Sequence, residues 1–446
     1  ERRIVDAIDS TERASLRYRL GRLRVERLGD AQGAVDSFRE ILDERRDHRE
    51  SIAALEQIAE SHAHLRLAIV EILEPLYRDL DDWQKLVHVL TVRLQAATDT
   101  VERTHLLREI GQLKDARAKD TPGAFEAYSQ AFSIDPGDGE AREAIERLAV
   151  EHGLWDQLVQ SYETAFAATD DVVIKTDLLR AIAQTHDGRR DDPRSAIEAY
   201  NRLYALDDSQ LDVLDLLEGL HVLLSDWEGH VEVLERKVSR SMDDEQRKAL
   251  LHTIGESERD MLGKPELAIS AFQRALDIDP SDVVSLEALD GLYASRGDAR
   301  ALAGVLSQRL VIESEPEVRR QTALRLGRLW EGTDLHDANQ AIDAYRRVLD
   351  DAPTDPDAIQ ALERLYAQQE MYPDLLENLR AQVALAADDA ARVPLRLRVG
   401  QILSAQLSDL DAALETFRGV LAVDPTNAEA IEAVRVLADN PDQRAS

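Results

Sequence analysis

The sequence predicts an all-α array of stacked helical hairpins. Three observations carry this: internal repetition at a fixed period, apolar residues at helical spacing, and a helix-forming composition. The tract Leu106-Leu-Arg-Glu-Ile-Gly111 recurs in frame at 178–183, 250–255, 322–327 and 395–400, in steps of 72, 72, 72 and 73 residues. A second tract, Ala124 to Tyr128, returns at 196–200, 268–272, 341–345 and 413–417 with the same steps. A third marker runs Trp83, Trp155, Trp227, Ala299 and Tyr372. Hydrophobic residues make up 44% of the chain and aromatics 4%, a balance that suits helices better than sheets.

Each period divides into four helical stretches. In the unit that starts near Val101 they run about 101–116, 121–133, 138–151 and 154–168. Pro136 followed by Asp138 reads as a helix stop and then a side-chain N-cap, and the pattern repeats at Pro280/Asp282, Pro353/Asp355 and Pro425/Asn427. The Trp-marked stretch sets Val87, Leu90 and Leu94, or Val159, Tyr162 and Phe166, on one helical face. The expected units are about 11–100, 101–172, 173–244, 245–316, 317–389 and 390–440, with 441–446 as a disordered tail. Between Ala34 and Trp83 lie 49 residues where Ala124 to Trp155 takes 31, so one additional helix is expected within 48–80.

The halves of each period resemble tetratricopeptide repeats. Gly111, Gly255, Gly327 and Gly400 match the family's first-helix glycine. Ala124, Tyr128 and Ala131, or Ala268, Phe272 and Ala275, match its small–aromatic–small signature, and Pro136 and Pro280 its closing proline. Small residues there let two helices approach while the aromatic fills the wedge. The first half of the period fits well, though its turn is one residue longer than the family's spacing. The second half departs from it, with Leu158 at a small-residue place. The resemblance covers nearly the whole chain and implies a single right-handed α-solenoid of about 23–25 helices over 1–446 that binds protein or peptide in its concave groove.

By that resemblance, the first helices would line the groove with Arg108, Gln112, Arg180, Gln184, His252, Glu256, Leu324, Arg328, Leu397 and Gln401, and the third helices with Glu143, Asp215, Glu287, Gln360 and Glu432. Arg108 and Glu143, or Arg180 and Asp215, are 35 residues apart on adjacent parallel helices, so either they neutralise each other or they await a ligand. A basic residue also stands seven places before the Ile110 frame in every unit: Arg13, Arg103, Lys175, Arg247, Arg319 and Arg392. Structural ion pairs with acids such as Asp99, Asp171, Asp243, Asp244 and Glu315 are the favoured reading, and a ligand-binding ladder the other.

The formal charge of −33, from 87 acidic and 54 basic residues, argues against nucleic acid and anionic membranes as partners. No run approaches eighteen apolar residues, so no membrane insertion is expected. There is no cysteine, Gly-rich phosphate loop, Ser nucleophile turn or His-Glu-x-x-His run. His62 and His64, at i and i+2, do not share a helical face and read as an exposed turn. The expectation is a binding scaffold without catalysis, cofactor or metal. The alternative is a structural subunit that joins copies of itself or a larger assembly through open ends or its convex face.

Residues 1–8 align with the end of a fourth helix, and the chain finishes just after a third helix, at Asn440. Neither end reads as a cap, so an excised piece of a longer protein is expected. Arg outnumbers Lys by 47 to 7, which suggests a GC-rich, bacterial genome. A cytoplasmic location is favoured, any signal lying ahead of Glu1.

Overall fold

The computed structural model describes residues 9–438, which form twenty-four α-helices and no strand. They fall into two compact units, one ending at Ser225 and the other beginning at Asp226. The first holds α1 (Ser10–Leu23), α2 (Ala31–Glu44), α3 (Arg49–Ser61), α4 (Arg66–Asp79), α5 (Trp83–Ala96), α6 (Thr100–Leu113), α7 (Thr121–Ile134), α8 (Gly139–His152), α9 (Trp155–Ala168), α10 (Val172–Arg189), α11 (Pro193–Leu206) and α12 (Asp212–Leu223). The second holds α13 (Trp227–Arg240), α14 (Asp244–Glu256), α15 (Pro265–Ile278), α16 (Val283–Arg296), α17 (Ala299–Ile312), α18 (Pro316–Glu331), α19 (Ala338–Asp351), α20 (Pro356–Gln368), α21 (Tyr372–Leu385), α22 (Asp389–Ala405), α23 (Leu410–Val423) and α24 (Ala428–Ala438). The expectations for residues 1–8 and 441–446 lie outside the described residues.

Within each period the first and second helices pack most closely, as in α6 on α7, α10 on α11 and α18 on α19. The cause is visible at one position. A Cβ built on Gly21, Gly111, Gly255, Gly327 or Gly400 would stand 2.6–2.9 Å from the ring of Phe38, Tyr128, Phe272, Tyr345 or Phe417. The missing methyl is the space that the ring occupies. Where the third unit has Ala183 instead, the ring is Tyr200, still 1% exposed.

The longer first-half turn also has a physical form. After α1, α6 and α14 the chain continues as a five-residue π-helical turn, Arg24–Leu28, Lys114–Ala118 and Ser257–Met261. A π turn absorbs one extra residue without breaking the helix. The second helices are then started by an aspartate whose carboxylate accepts from the backbone: Asp30, Asp120, Asp192, Asp337 and Asp409. Lys264 takes that place before α15 and makes no side-chain cap.

Residues 48–80 form two helices, α3 and α4, and both carry the packing pattern of a third helix. Ser51, Leu55 and Ile58 stand 90 residues before Ala141, Ile145 and Leu148 of α8, while Ile69, Leu73 and Leu76 stand 72 before them. All six are buried, and the apolar ones belong to one core with α2 and α5. His62 and His64 lie in the turn between α3 and α4, with ring centroids 6.0 Å apart.

Candidate partner-binding grooves

First and third helices are tied to each other by charge at fixed places. Arg108 on α6 reaches the first turn of α8, 3.3 Å from Asp138 and 2.6 Å from Glu140. Arg180 on α10 does the same one period later, meeting Gln210 at 2.8 Å and Asp212 at 2.7 Å. His252 on α14 bonds Asp282 at 2.7 Å and Ser285 at 3.1 Å. In the next unit the place is Leu324, and Arg320, one turn earlier, pairs with the N-cap Asp355. Three of the expected groove residues thus clamp the N-terminus of the third helix, drawn by acids that the positive end of the helix dipole favours there: the N-caps Asp138 and Asp282 and the first-turn Glu140 and Asp212.

The pairs anticipated at a spacing of 35 are corrected by this geometry. Arg108 selects Asp138 and Glu140, not Glu143, and Arg180 selects Asp212, not Asp215. Side chains on a helix lean toward its N-terminus, so carboxylates of the first turn are nearer than those one turn on. Spacing 35 is used by other residues, in the pairs Arg142–Asp177, Asp290–Arg325 and Glu363–Arg398. The basic ladder is similar: Arg13 pairs with Glu44, Lys175 with Asp170, Arg247 with Asp244, Arg319 with Asp351 and Arg392 with Asp389. Asp99, Asp171 and Asp243 are instead turned onto backbone amides as N-caps.

A second rung has the opposite polarity. Asp115, at the end of the first helix, pairs with Arg147 of α8 at 2.5 Å, and three periods on Glu331 pairs with Arg364 of α20 at 2.6 Å. Burial and then the Glu331 contact push the Tyr345 hydroxyl up, its proton being donated to Glu331 at 2.8 Å. Around these rungs open grooves of ≈ 670 Å³ in the first compact unit and ≈ 1030 Å³ in the second. Their walls are period-equivalent: Gln112, Tyr128, Glu140 and Ala144 in one, Arg328, Tyr345, Asp357 and Ala361 in the other.

The expected residues distribute as follows. Arg108 and Gln112 line the first groove and Arg328 the second, where it pairs with Asp357 at 3.0 Å. Glu287 lines a smaller recess of ≈ 380 Å³ and accepts from Arg309 at 3.0 Å. Glu143, Gln184, Asp215 and Glu256 are exposed on α8, α10, α12 and α14. Sequence reasoning missed Asp115, Arg147, Glu331 and Arg364; complementary charges 32 or 33 residues apart, repeated by the period, were the signal.

Acid strength follows the same contacts. The Ser281 hydroxyl, then Lys248, hold Asp279 at about 2, and Arg320, then Gln321, hold Glu317 at about 2. A depressed carboxylate contributes stability above its unfolded value and loses it as pH falls through its folded value. Acid unfolding is therefore expected to draw on these groups between about pH 4 and pH 2, and Asp279→Asn should flatten that limb in a circular-dichroism titration.

The tetratricopeptide-repeat family model matches residues 260–282, which hold α15 and its flanking turns. That segment reads as one tetratricopeptide repeat, and the paired helices of the described residues are consistent with a repeat array of that type. Among solved structures it is similar to the C-terminal part of a TPR repeat-containing protein from Cytophaga hutchinsonii, at 13% identity over 58% of this chain and 99% of that one, with a TM-score of 0.25. It is also similar to YrrB, described as a TPR protein with an unusual peptide-binding site, at 14% identity over 45% and 96%, TM-score 0.24. A third is the APC/C hetero-tetramer Cut9–Hcn1, at 14% over 96% and 86%, TM-score 0.23. No curated protein matches the sequence.

Proposed function

We infer that the array holds a protein or peptide in the grooves between its first and third helices. The contact residues are Arg108, Gln112, Glu143, Arg180, Gln184 and Asp215 in one compact unit and His252, Glu256, Glu287 and Arg328 in the other. One observation carries this reading: grooves open at period-equivalent places, yet their walls differ in side chain while the packing positions repeat. Stacking requires the packing residues to recur, and recognition of a non-repetitive partner requires the walls to differ.

Photo-cross-linking tests it. A photoreactive side chain at Gln112, Gln184 or Arg328 should trap a partner from an extract of the native source, and one at the second-helix surface positions Glu198 or Arg347 should not. The reverse pattern would move the site to the other face. Charge reversal must be chosen with the clamps in view. Arg328 is 64% exposed, so Arg328→Glu is expected to change stability by under about 0.5 kcal/mol while weakening capture. Arg108→Glu sets a carboxylate against Asp138 and Glu140, and thermal melts should show a loss of about 1–2 kcal/mol besides any loss of capture.

A further inference from the structure

In the unit of 173–244 the charge ladder between first and third helices keeps an acid whose basic partner is missing. In the unit of 101–172, two rungs seven residues apart join α6 and the π turn after it to α8: Arg108 to Glu140 at 2.6 Å, and Asp115 to Arg147 at 2.5 Å. One period later the first rung recurs as Arg180 to Asp212 at 2.7 Å. The second keeps its acid and loses its base, because Asp187 stands 72 residues after Asp115 but Gly219 stands 72 after Arg147. Burial, then the Asp115 charge, push the Tyr128 hydroxyl up, and burial, then the Asp187 charge, do the same to Tyr200. Asp187 stands four residues after Ala183, the place that Asp115 holds after Gly111. Among the described residues no cation pairs with the exposed Asp187.

Gly219 has no packing reason of its own. A Cβ there would meet nothing within 4 Å, in contrast to Gly111 and its equivalents. Glycine inside a helix lowers stability without returning a contact. What it leaves is a bare floor between Leu216 and Leu223, three residues before and four after, which are 38% and 69% exposed. Other units place Ala144 and Glu151, Ala288 and Ser295, or Ala361 and Gln368 at these positions. Gly291 repeats the missing base, but its unit has Arg259 where Asp187 stands, paired with Asp260 at 2.7 Å.

We propose that a partner completes this rung: a peptide segment that offers an arginine or lysine to Asp187 and lays an adjacent aliphatic or aromatic side chain over Gly219, between Leu216 and Leu223. The proposal rests on the groove reading above. The partner's cation takes the place that Arg147 fills elsewhere, its charge complementary to the unneutralised carboxylate. Its apolar side chain removes two exposed leucines from water, and the missing Cβ lets the incoming backbone approach closely.

The test is fluorescence anisotropy of the full chain with three short labelled peptides in a Gly–Ser background: arginine beside leucine, glutamate beside leucine, and arginine beside serine. The first should bind at least about tenfold more tightly than the others. Gly219→Arg, which rebuilds the rung internally, should abolish that preference, and Asp187→Asn should weaken the arginine–leucine peptide by about tenfold. Gly219→Arg meets open space and favours helix, so its circular-dichroism spectrum should be unchanged. Absence of the preference in the wild-type chain, or its persistence in Gly219→Arg, would overturn the proposal. The groove reading is separable: native-partner cross-links from Gln112 and Arg328 that survive Gly219→Arg keep it while this rung fails, and cross-links from Glu198 and Arg347 alone end it.

Discussion

Phe272→Ala is expected to destabilise the α14–α15 hairpin by about 3–5 kcal/mol, the cost of removing a fully buried ring from a packed core. Phe272 is 1% exposed, and its ring fills the space where a Gly255 Cβ would stand at 2.7 Å. The same contact reverses the sign of a second substitution. Gly255→Ala alone should cost about 1–3 kcal/mol, because the ring or the helix must shift. In a Phe272→Ala background the obstacle is gone, and Gly255→Ala should instead stabilise by up to about 1 kcal/mol through helix propensity. The double-mutant cycle therefore gives a large coupling energy. Urea titration read by circular dichroism measures it. A nearly additive cycle would mean that the glycine is kept for some reason other than the ring. Since each repeat packs mainly on its neighbours, the melt of Phe272→Ala should also broaden, part of the array unfolding before the rest.

That glycine–ring contact was legible in the sequence because packing must recur: Gly111 and Tyr128, Gly255 and Phe272, Gly327 and Tyr345 are printed at the period. The helix starts were legible for the same reason, as at Asp138, Asp282 and Asp355, whose carboxylates cap α8, α16 and α20. The charge partners were not. Arg108 offered several acids within one turn of one another, and only the lean of side chains and the position of the α8 N-terminus decide for Asp138 and Glu140 over Glu143. Nor could spacing say which glycines are filled and which are open. Gly111 and Gly219 look alike in a helix, and only the neighbouring helix distinguishes a glycine pressed by a ring from one that leaves a floor bare.

A charge exchange beside the π turn of α14 carries the other large effect. In three units a basic residue three places after the glycine frame faces the start of the second helix. Arg24 lies 3.8 Å from Asp30, His186 3.8 Å from Asp192, and Lys114 3.5 Å from the Gly123 carbonyl beside Asp120. In the unit of 245–316 both places are inverted, to Glu258 and Lys264. Glu258 is 6% exposed, its Oε2 finds no hydrogen-bond donor among the described residues, and burial pushes its carboxyl up against the opposing pull of Lys264. Lys264 itself reaches Glu228 at 2.8 Å. Glu258→Arg alone sets two cations together, and Lys264→Asp alone sets a carboxylate beside a buried one, so each should cost about 1–3 kcal/mol. The double substitution recreates the arrangement of Arg24 and Asp30 and supplies the N-cap that α15 lacks, a contribution of about 0.5–2 kcal/mol. It should therefore match or exceed the wild-type stability. A carboxyl whose folded value is raised loses stability as pH climbs through that value, so Glu258→Gln should stabilise at neutral pH and be indistinguishable from wild type below the ordinary value of 4.5. Denaturation of the wild type and the four variants at pH 7 and pH 4 measures all of this, and additive single costs in the double variant would show that the two inversions are independent.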